Sequence, residues 1–382
     1  MDRFRWALIA VPVLIIALGG GYGALWLYGA RQVEESARAW LASQRAAGWE
    51  AEVDSLAVGG FPGRIELHGS GLRLAPPPGK AAVPWHWRAE GLRAHALAWS
   101  LREPTVTPLG TQVLTLPGAD GEPVAHTVTA GTARLDLKLD GAGQIVGFAL
   151  DAASVAAKPQ GAREALTIDS VAASLLPEKG SGQLLDLRES SYTASLTVRG
   201  LTVPPGLEPP LGPRGEVLEA HARILGPVTL NPAQPLLEAV KTWRDDGGSV
   251  ELDRFYLEWA PLRMSMAGSL ALDQRLQPVA SLSARFQGFF AAVNRLEDVG
   301  VVRAREASVA RVVLGVMAER DPAGGAPLLA VPVTVQDRTV RVGPVTVLTF
   351  PLIEWGGEAP PAGQEIRPGF EVDRWGNVIR RE

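Results

Sequence analysis

The stretch WAPLRMSMAGSLAL, residues 259–272, indicates the fold class of the chain. In its centre Leu262, Met264 and Met266 alternate with polar residues. Successive side chains of a β-strand point to opposite faces of the sheet, so this alternation predicts a strand with one apolar and one wetted face. We expect a turn at Gly268 and a further strand containing Leu270 and Leu272.

The same alternation recurs along much of the chain, in short runs separated by glycine and proline. It is found at Val53, Leu56/Val58, Ile65/Leu67, Leu72/Leu74, Leu135/Leu137/Leu139, Leu166/Ile168, Leu196/Val198, Leu252, Val333/Val335, Val340/Val342 and Val345/Val347. Strands of parallel sheets are apolar throughout, whereas these are interleaved with polar residues. The sequence therefore predicts a mainly β (α+β) protein of curved antiparallel sheets, with a few helices packed on them.

Two segments share one layout at identical spacing. They are Val58, Pro62, Arg64, Ile65, Leu67, Gly69 and Ser70, and Leu257, Pro261, Arg263, Met264, Met266, Gly268 and Ser269. A real duplication predicts two similar sheets, one after residue 50 and another after residue 248. Any β-meander rich in Leu, Gly and Pro can produce the same coincidence, so both readings stay open.

The N-terminus contains a charge-free run from Trp6 to Ala30, preceded by a short head with Arg3 and Arg5. A helix of that length, at about 1.5 Å per residue, is long enough to cross a hydrocarbon core of about 30 Å. We expect a transmembrane anchor at 6–30, a cytoplasmic head at 1–5 and a translocated body. The alternative is a cleaved signal peptide, whose apolar region is shorter.

Beyond the anchor, the sequence predicts an amphipathic juxtamembrane helix at 31–48 and two β-rich halves. The first half, 49–235, ends in a proline-rich junction at 201–235, where we expect little regular structure. The second half, 236–355, includes predicted helices at 234–244 and at about 284–320, the latter broken near Gly300. We expect a mobile tail at 356–382.

Composition and motifs exclude several functional classes. The chain has 382 residues, no Cys and a net charge of −4, so it has no thiolate chemistry and no basic footprint for nucleic acid. Its five histidines show no metal-ligand spacing, and no nucleophile or phosphate-binding motif is present. We expect no catalytic residue, no metal site and no cofactor, and therefore a protein that is not an enzyme.

Several turns carry a resemblance to a known family. The predicted structural turns are Gly60, Phe61, Pro62, Gly247, Gly248, Pro261, Gly268, Gly343 and Pro344. The resemblance is carried by the N-terminal run, the Gly59-Gly60-Phe61-Pro62 turn, the stretch from Asp246-Gly247-Gly248 to Leu262, and the Val342-Gly343-Pro344-Val345 strand that ends at Phe350-Pro351. With these features the sequence resembles an uncharacterised bacterial family of single-span, periplasm-facing envelope proteins, a domain-of-unknown-function family. The architecture is also similar to that of AsmA-type proteins, which implies lipid handling in the cell envelope. These resemblances imply an inner-membrane protein with a cytoplasmic N-terminus and a periplasmic body.

The leading functional hypothesis is an open sheet face that binds a lipid or another amphiphile. The predicted groove residues are Ile65, Leu67, Leu262, Met264, Met266 and Leu270, all of which could instead be core positions. The alternative is a scaffold that docks an envelope protein through a sheet edge or a Trp-rich surface. The tryptophans concerned are Trp40, Trp49, Trp85, Trp87, Trp99, Trp243, Trp259, Trp355 and Trp375.

Overall fold

The computed structural model describes residues 2–78, 83–118, 121–141, 143–178, 189–228, 236–320, 325–343, 345–353, 370–372 and 378–380. The side chains of 2–18, 236, 347, 370–372 and 378–380 are outside this description. The helices are α1 (Asp2–Ala46), α2 (Leu236–Asp245), α3 (Phe289–Asp298) and α4 (Ala304–Met317).

Seventeen strands form one antiparallel sheet, and two short strands pair separately. The strands of the large sheet are β1 (Glu50–Glu52), β2 (Ser55–Gly59), β3 (Arg64–Ala75), β4 (His86–Leu97), β5 (Ser100–Pro117), β6 (Pro123–Thr129), β7 (Thr132–Leu139), β8 (Ile145–Pro159), β9 (Leu166–Pro177), β10 (Ser190–Thr202), β11 (Arg214–Leu225), β12 (Ser249–Trp259), β13 (Leu262–Leu272), β14 (Pro278–Gln287), β15 (Leu328–Gln336), β16 (Thr339–Val342) and β17 (Val345–Thr349). The separate pair is β18 (Phe370–Val372) and β19 (Val378–Arg380). The predicted mainly β, antiparallel class is therefore confirmed.

The sheet is a meander that follows chain order almost throughout. β1 and β2 both pair with β3, and β6 and β7 share one strand position between β5 and β8. From β8 to β17 each strand pairs with the next. The turns consequently alternate between two ends of the sheet. We name these the near end, which holds the β2–β3 turn, and the far end, which holds the β12–β13 turn.

One sheet replaces the two predicted sheets. The proline-rich junction, predicted to lack regular structure, contains β11, which pairs with β10 on one side and β12 on the other. That expectation was wrong because the prolines cluster outside 214–225, while β11 itself contains none. Residues 229–235 of the junction are outside the described residues.

The two repeat segments form hairpins with similar chemistry but different registers. Both Phe61-Pro62 and Ala260-Pro261 are cis peptides. Val58 pairs with Leu67, however, whereas its counterpart Leu257 pairs with Met264. The first hairpin turns at the near end and the second at the far end, so the two hairpins are not equivalent positions of two similar sheets.

Gly268 does not form the predicted turn, because it lies inside β13, opposite Leu252 and Leu282. Its φ is 149°, and an added Cβ would be 2.2 Å from the Ser281 carbonyl oxygen. The run 262–272 is therefore one strand, and Ile65 to Leu74 likewise belong to the single strand β3. In the second case Gly71, with a φ of 61°, marks an irregular position rather than a turn.

The predicted late helices exist, with one change at their start. α3 and α4 are separated near Gly300, as expected, but Phe286 belongs to β14 rather than to a helix. The helix prediction began too early because aromatic residues at 286, 289 and 290 continue at helical spacing across a strand end. At this corner Gly288 has a φ of 73°, and a Cβ there would be 1.9 Å from the Pro261 carbonyl oxygen.

α1 is one continuous helix over both the predicted anchor and the predicted juxtamembrane helix. From Tyr22 onward it runs beside β1, β2 and β3, while its earlier residues extend past the near end of the sheet. Within the described residues, no helix is both long enough and apolar enough to cross a membrane. The side chains of 6–18, the first part of the predicted anchor, are outside that description.

Buried side chains are concentrated in the first and last strands of the sheet. One core cluster joins Trp26 and Ala30 of α1 to Ile65 of β3. Two others lie among β12 to β16 and under α3 and α4, around Leu282 and Phe289. In the described part of residues 97–191, no apolar side chain is buried. Among the described residues, strands β5 to β9 therefore lack the packed cover that the two sides of the sheet possess.

Candidate functional site

One face of the sheet is apolar from β2 to β15. The registers place one apolar residue of each strand directly opposite one of the next, with β7 in the strand position that it shares with β6. The row is Val58, Leu67, Ala94, Val106, Leu135, Leu150, Ala173, Leu196, Ala220, Phe255, Met266, Ala284 and Val331. We call this set the apolar row. At about 4.8 Å between neighbouring strands, it extends over roughly 58 Å along the sheet.

The opposite face has a polar row one residue away. Its members are Glu66, His95, Thr105, Asp136, Ala149, Ser174, Ser195, His221 and Arg254. Ser174 and Ser195 hydrogen-bond to each other across β9 and β10, with 2.7 Å between their hydroxyl oxygens. From β3 to β12 the sheet therefore presents one apolar face and one face that is polar except at Ala149.

Ion pairs between strands stabilise the polar face. Arg223 contacts Asp253 at 2.7 Å, and Arg263 contacts Glu258 at 2.7 Å. Hydrogen bonds from these guanidinium groups lower the pKa of Asp253 and of Glu258 below their ordinary values. On Glu66 the hydrogen bond from His68 lowers the pKa. These carboxylates are held ionised, as expected for a face in contact with water.

The apolar row is buried at its end near α3 and α4 but not in the central strands. Ala284 is 1% exposed and Val331 is 6% exposed, whereas Leu196 is 36% exposed. Leu135, Leu150 and Phe255 are half-buried. The three buried clusters include no described residue of β5 to β11. Of the apolar side chains described on these strands, only Tyr192 and Leu225, at the near end of β10 and β11, are buried. The members of the row between β5 and β11 are therefore open.

The six predicted groove residues all lie on the apolar face, but they do not form one site. Ile65 is buried under Trp26 and Ala30 of α1, which makes it a core position. Leu67 is in the apolar row beside it, nine strand positions from β13. The remaining four are on β13: Leu262, Met264, Met266 and Leu270, of which Met266 and Leu270 pack against the cluster around Leu282. The open surface between these two groups lies mainly on β5 to β11.

Phe255 lies on the apolar face, although alternation along the sequence does not place it there. It follows Leu252 by three residues, so strict alternation places the two on opposite faces. An irregularity at Asp253 and Arg254 shifts the register, so that Leu252 pairs with Gly268 and Phe255 with Met266. An inserted residue of this kind restores Phe255 to the apolar face.

α1 attaches to the near end of the sheet through aromatic contacts. The Trp26 indole N–H donates to the Arg64 carbonyl oxygen at 2.9 Å, and Tyr22 donates to the Pro62 carbonyl oxygen. Phe61 lies edge-on to Trp26, with 5.3 Å between the ring centroids. Several apolar side chains remain exposed around this end, namely Leu25, Tyr28, Phe61, Leu97, Trp99, Leu101 and Ile145.

A cavity of about 760 Å³ lies at the far end, between α4 and strands β15 to β17. Val309, Val313, Leu314 and Met317 line it from the helix, and Leu329 and Val331 line it from the sheet. Arg303, Arg305 and Glu306 lie at the N-terminal end of α4. Val331 is also the last member of the apolar row, so the cavity continues the apolar face.

α4 is one of the helices predicted to pack on the sheet, but only some of its apolar side chains do so. Ala307 is completely buried and Leu314 packs on the sheet, but Val309, Val312, Val313 and Val316 are exposed. This helix has two apolar stripes. The stripe with Ala307, Leu314 and Met317 packs on the protein, and the valine stripe is exposed. The helix is also fastened to α3, because Arg311 contacts Asn294 and Glu297 at 2.8 and 2.7 Å.

The remaining predictions concern metal ligands and structural turns. Within the described ranges, no group of three or more His, Asp or Glu side chains is close enough to hold a metal ion. Gly60, Phe61 and Pro62 form the β2–β3 turn, and Gly247 and Gly248 follow α2. Gly343 lies between β16 and β17 with a φ of 56°, whereas Pro344 is outside the described residues.

Comparison with known proteins shows the family. Residues 26–351 match a family described as uncharacterized proteins conserved in bacteria, DUF2125. The chain belongs to this family. The match begins at Trp26, the residue that attaches α1 to the sheet, and ends just after β17, so this DUF2125 protein has the whole large sheet within its family region. No curated protein and no solved structure matches the chain.

Proposed function

We propose that this DUF2125 protein is a non-enzymatic, membrane-anchored envelope protein that binds a lipid or another amphiphile along the open part of its apolar face. The observation that carries the proposal is the apolar row, over which the described residues form no buried cluster between β5 and β11. Large uncovered apolar patches mark binding sites or interfaces in soluble parts of proteins.

Binding has a clear driving force on this surface. Each 100 Å² of apolar surface removed from water contributes about 2.5 kcal/mol. An acyl chain that lay across three or four strands would cover side chains such as Leu150 and Leu196 while leaving the polar face in water. The energy is non-directional, so the sheet would hold a chain at many positions along the row rather than at one.

The proposed location is the bacterial inner membrane, with a cytoplasmic N-terminus and a periplasmic body. The charge-free run 6–30 and the two preceding arginines support this orientation. α1 leaves the sheet at the near end, where Phe61 and Trp99 are exposed. We place this end against the bilayer, where amphipathic rings are favoured. The architectural likeness to AsmA-type proteins supports the same arrangement by analogy.

Native mass spectrometry of the full chain, released from mild detergent, tests the proposal. The wild type should carry a lipid mass, and Leu196→Asp, which interrupts the apolar row, should carry measurably less of it. Ser195→Asp is the matched control, because the neighbouring residue faces the opposite side of the same strand. A wild type that never carries a lipid, or two variants that behave alike, would contradict the proposal.

A second candidate is a scaffold that docks an envelope protein. The observation that favours it is the edge strand β17, where Val345 and Leu348 are exposed. The tryptophans favour it less, since Trp243 and Trp259 donate to the carbonyl oxygens of Leu225 and Gly212 and serve the fold. Trp40 and Trp99 are exposed, at 50% and 73%, whereas Trp355 and Trp375 are outside the described residues. Stoichiometric crosslinking of one protein at β17 would select this function.

A further inference from the structure

The cavity under α4 has the features of a specific end site on the apolar face. We propose that it binds the acyl chain of an anionic amphiphile, with the negatively charged head group held by Arg303 and Arg305. This inference rests on the proposed function, because the cavity continues the same face through Leu329 and Val331.

The size of the cavity fits one chain. Its volume of about 760 Å³ is within the usual range for small-molecule sites, about 300–1,000 Å³. Arg305 and Met317 both line it and are 12 residues apart on α4, which corresponds to about 18 Å along the helix. One acyl chain crosses half of a hydrocarbon core of about 30 Å, which is about 15 Å. A single extended chain therefore matches the helix that covers the cavity.

The distribution of charge sets the direction of the chain. The apolar wall consists of valine, leucine and methionine side chains from α4, β15, β16 and β17. The lining groups with charge are Arg303, Arg305 and Glu306, and all three are at the N-terminal end of α4. The head group should therefore lie beside this end and the terminal methyl group near Met317.

The arginines are available for an anion. Among the described residues neither Arg303 nor Arg305 forms an ion pair, although many other arginines of the body do. Both arginines are exposed, and the hydrogen bond that the Glu306 carboxylate accepts from Arg303, at 3.3 Å, comes from the backbone N–H and not from the guanidinium group. Guanidinium groups bind carboxylate and phosphate through paired, charge-assisted hydrogen bonds.

Photocrosslinking of the full chain in micelles with a diazirine-labelled palmitate locates the chain. The adducts should include peptides from α4 and β15 in addition to those from the open strands β8 to β11, and unlabelled palmitate and palmitoyl lysophosphatidate should both compete for the α4 and β15 adducts. The double variant Arg303→Gln/Arg305→Gln should weaken palmitate binding at α4 by at least about tenfold, whereas binding of neutral hexadecanol there should change less than about twofold. Competition by only one of the two acids would identify the head group as carboxylate or phosphate.

Two further variants separate this inference from the proposed function. Val313→Asp, at the cavity wall, should remove the α4 adducts while preserving adducts on β8 to β11. Leu207→Asp, at an exposed far-end position outside the cavity, should change neither. Adducts confined to the central strands would overturn the end site but not the proposed function, and a chain without adducts would overturn both. Equal loss of palmitate and hexadecanol in the arginine variant would overturn the anionic head group.

Discussion

Leu196 of β10 lies directly opposite Ala220 of β11, in the middle of a seventeen-stranded sheet, and is still 36% exposed. Leu282 of β14 is on the same face and is 9% exposed. The difference follows from what packs on each side chain: Leu282 belongs to a buried cluster with residues of β12 to β16, whereas no cluster of the described residues includes Leu196. One continuous face thus has a packed part and an open part.

The two leucines should respond differently to truncation. Leu282→Ala removes methyl groups from a packed cluster and should cost about 2–4 kcal/mol in the free energy of unfolding. Leu196→Ala should cost less than about 1 kcal/mol, because its side chain remains partly in water. Urea denaturation of the full chain in micelles measures both. Equal costs of several kcal/mol would show that Leu196 is packed by protein.

The attachment of α1 to the sheet depends on Trp26, which is 8% exposed and hydrogen-bonded to the Arg64 carbonyl oxygen. Trp26→Ala should loosen the helix from the near end and cost about 3–5 kcal/mol. Hydrogen exchange should then accelerate at 26–46 and in β3. Tyr28→Ala is the control, because Tyr28 is exposed on the same helix. Unchanged exchange in Trp26→Ala would mean that α1 is held elsewhere.

The proposed contact of the near end with the bilayer predicts a difference between two exposed apolar residues. Because the chain has no Cys, each can be labelled uniquely with an environment-sensitive fluorophore in a single-cysteine variant. A label at Trp99→Cys should shift to shorter emission wavelength in vesicles, whereas one at Leu207→Cys, in a far-end turn, should not. Identical spectra at the two positions would contradict the proposed orientation.

The ion pairs of the polar face predict a pH dependence of stability. Because the pKa values of Asp253 and Glu258 are lowered in the folded state, the unfolded chain binds more protons over the interval between the two values. The contribution of these two carboxylates to the free energy of unfolding should therefore be complete above about pH 5 and should decrease below about pH 4. Asp253→Asn/Glu258→Gln should flatten this dependence. A double variant with an unchanged acid transition would show that other groups control it.

The class of the fold could be predicted from alternation alone, but the extent of the sheet could not. The sequence predicts that Leu135 and Leu196 lie in strands, because each is two residues from another apolar residue. Their membership of one row depends on register, which turns and irregular positions determine pair by pair. Phe255 shows the difficulty, since it reaches the apolar face only through the irregularity at Asp253 and Arg254.

The sequence also does not determine whether a glycine forms a turn, or which apolar stripe of a helix packs on the sheet. Gly268 is typical of a turn by composition, yet it stays inside β13 because a close strand leaves no room for a side chain. On α4 the valine stripe and the stripe through Ala307 and Leu314 are both apolar, and periodicity does not say which one faces the sheet. The far-end cavity depends on which stripe of α4 faces the sheet, so it could not be predicted from the sequence.

The proposed function requires an apolar face that is open and covered by an amphiphile, and that is not packed against other parts of the protein. Nitroxide labels on single cysteines test it directly, at Leu135, Leu196 and Phe255 on this face and at Asp136, Ser195 and Arg254 on the other. Collision with oxygen reports an apolar environment, and collision with a water-soluble nickel chelate reports water. In the full chain in lipid, the first three should collide mainly with oxygen and the last three mainly with nickel. Protection of the first three from both reagents would mean that protein fills the face, and preference for nickel at all six would mean that no amphiphile covers it.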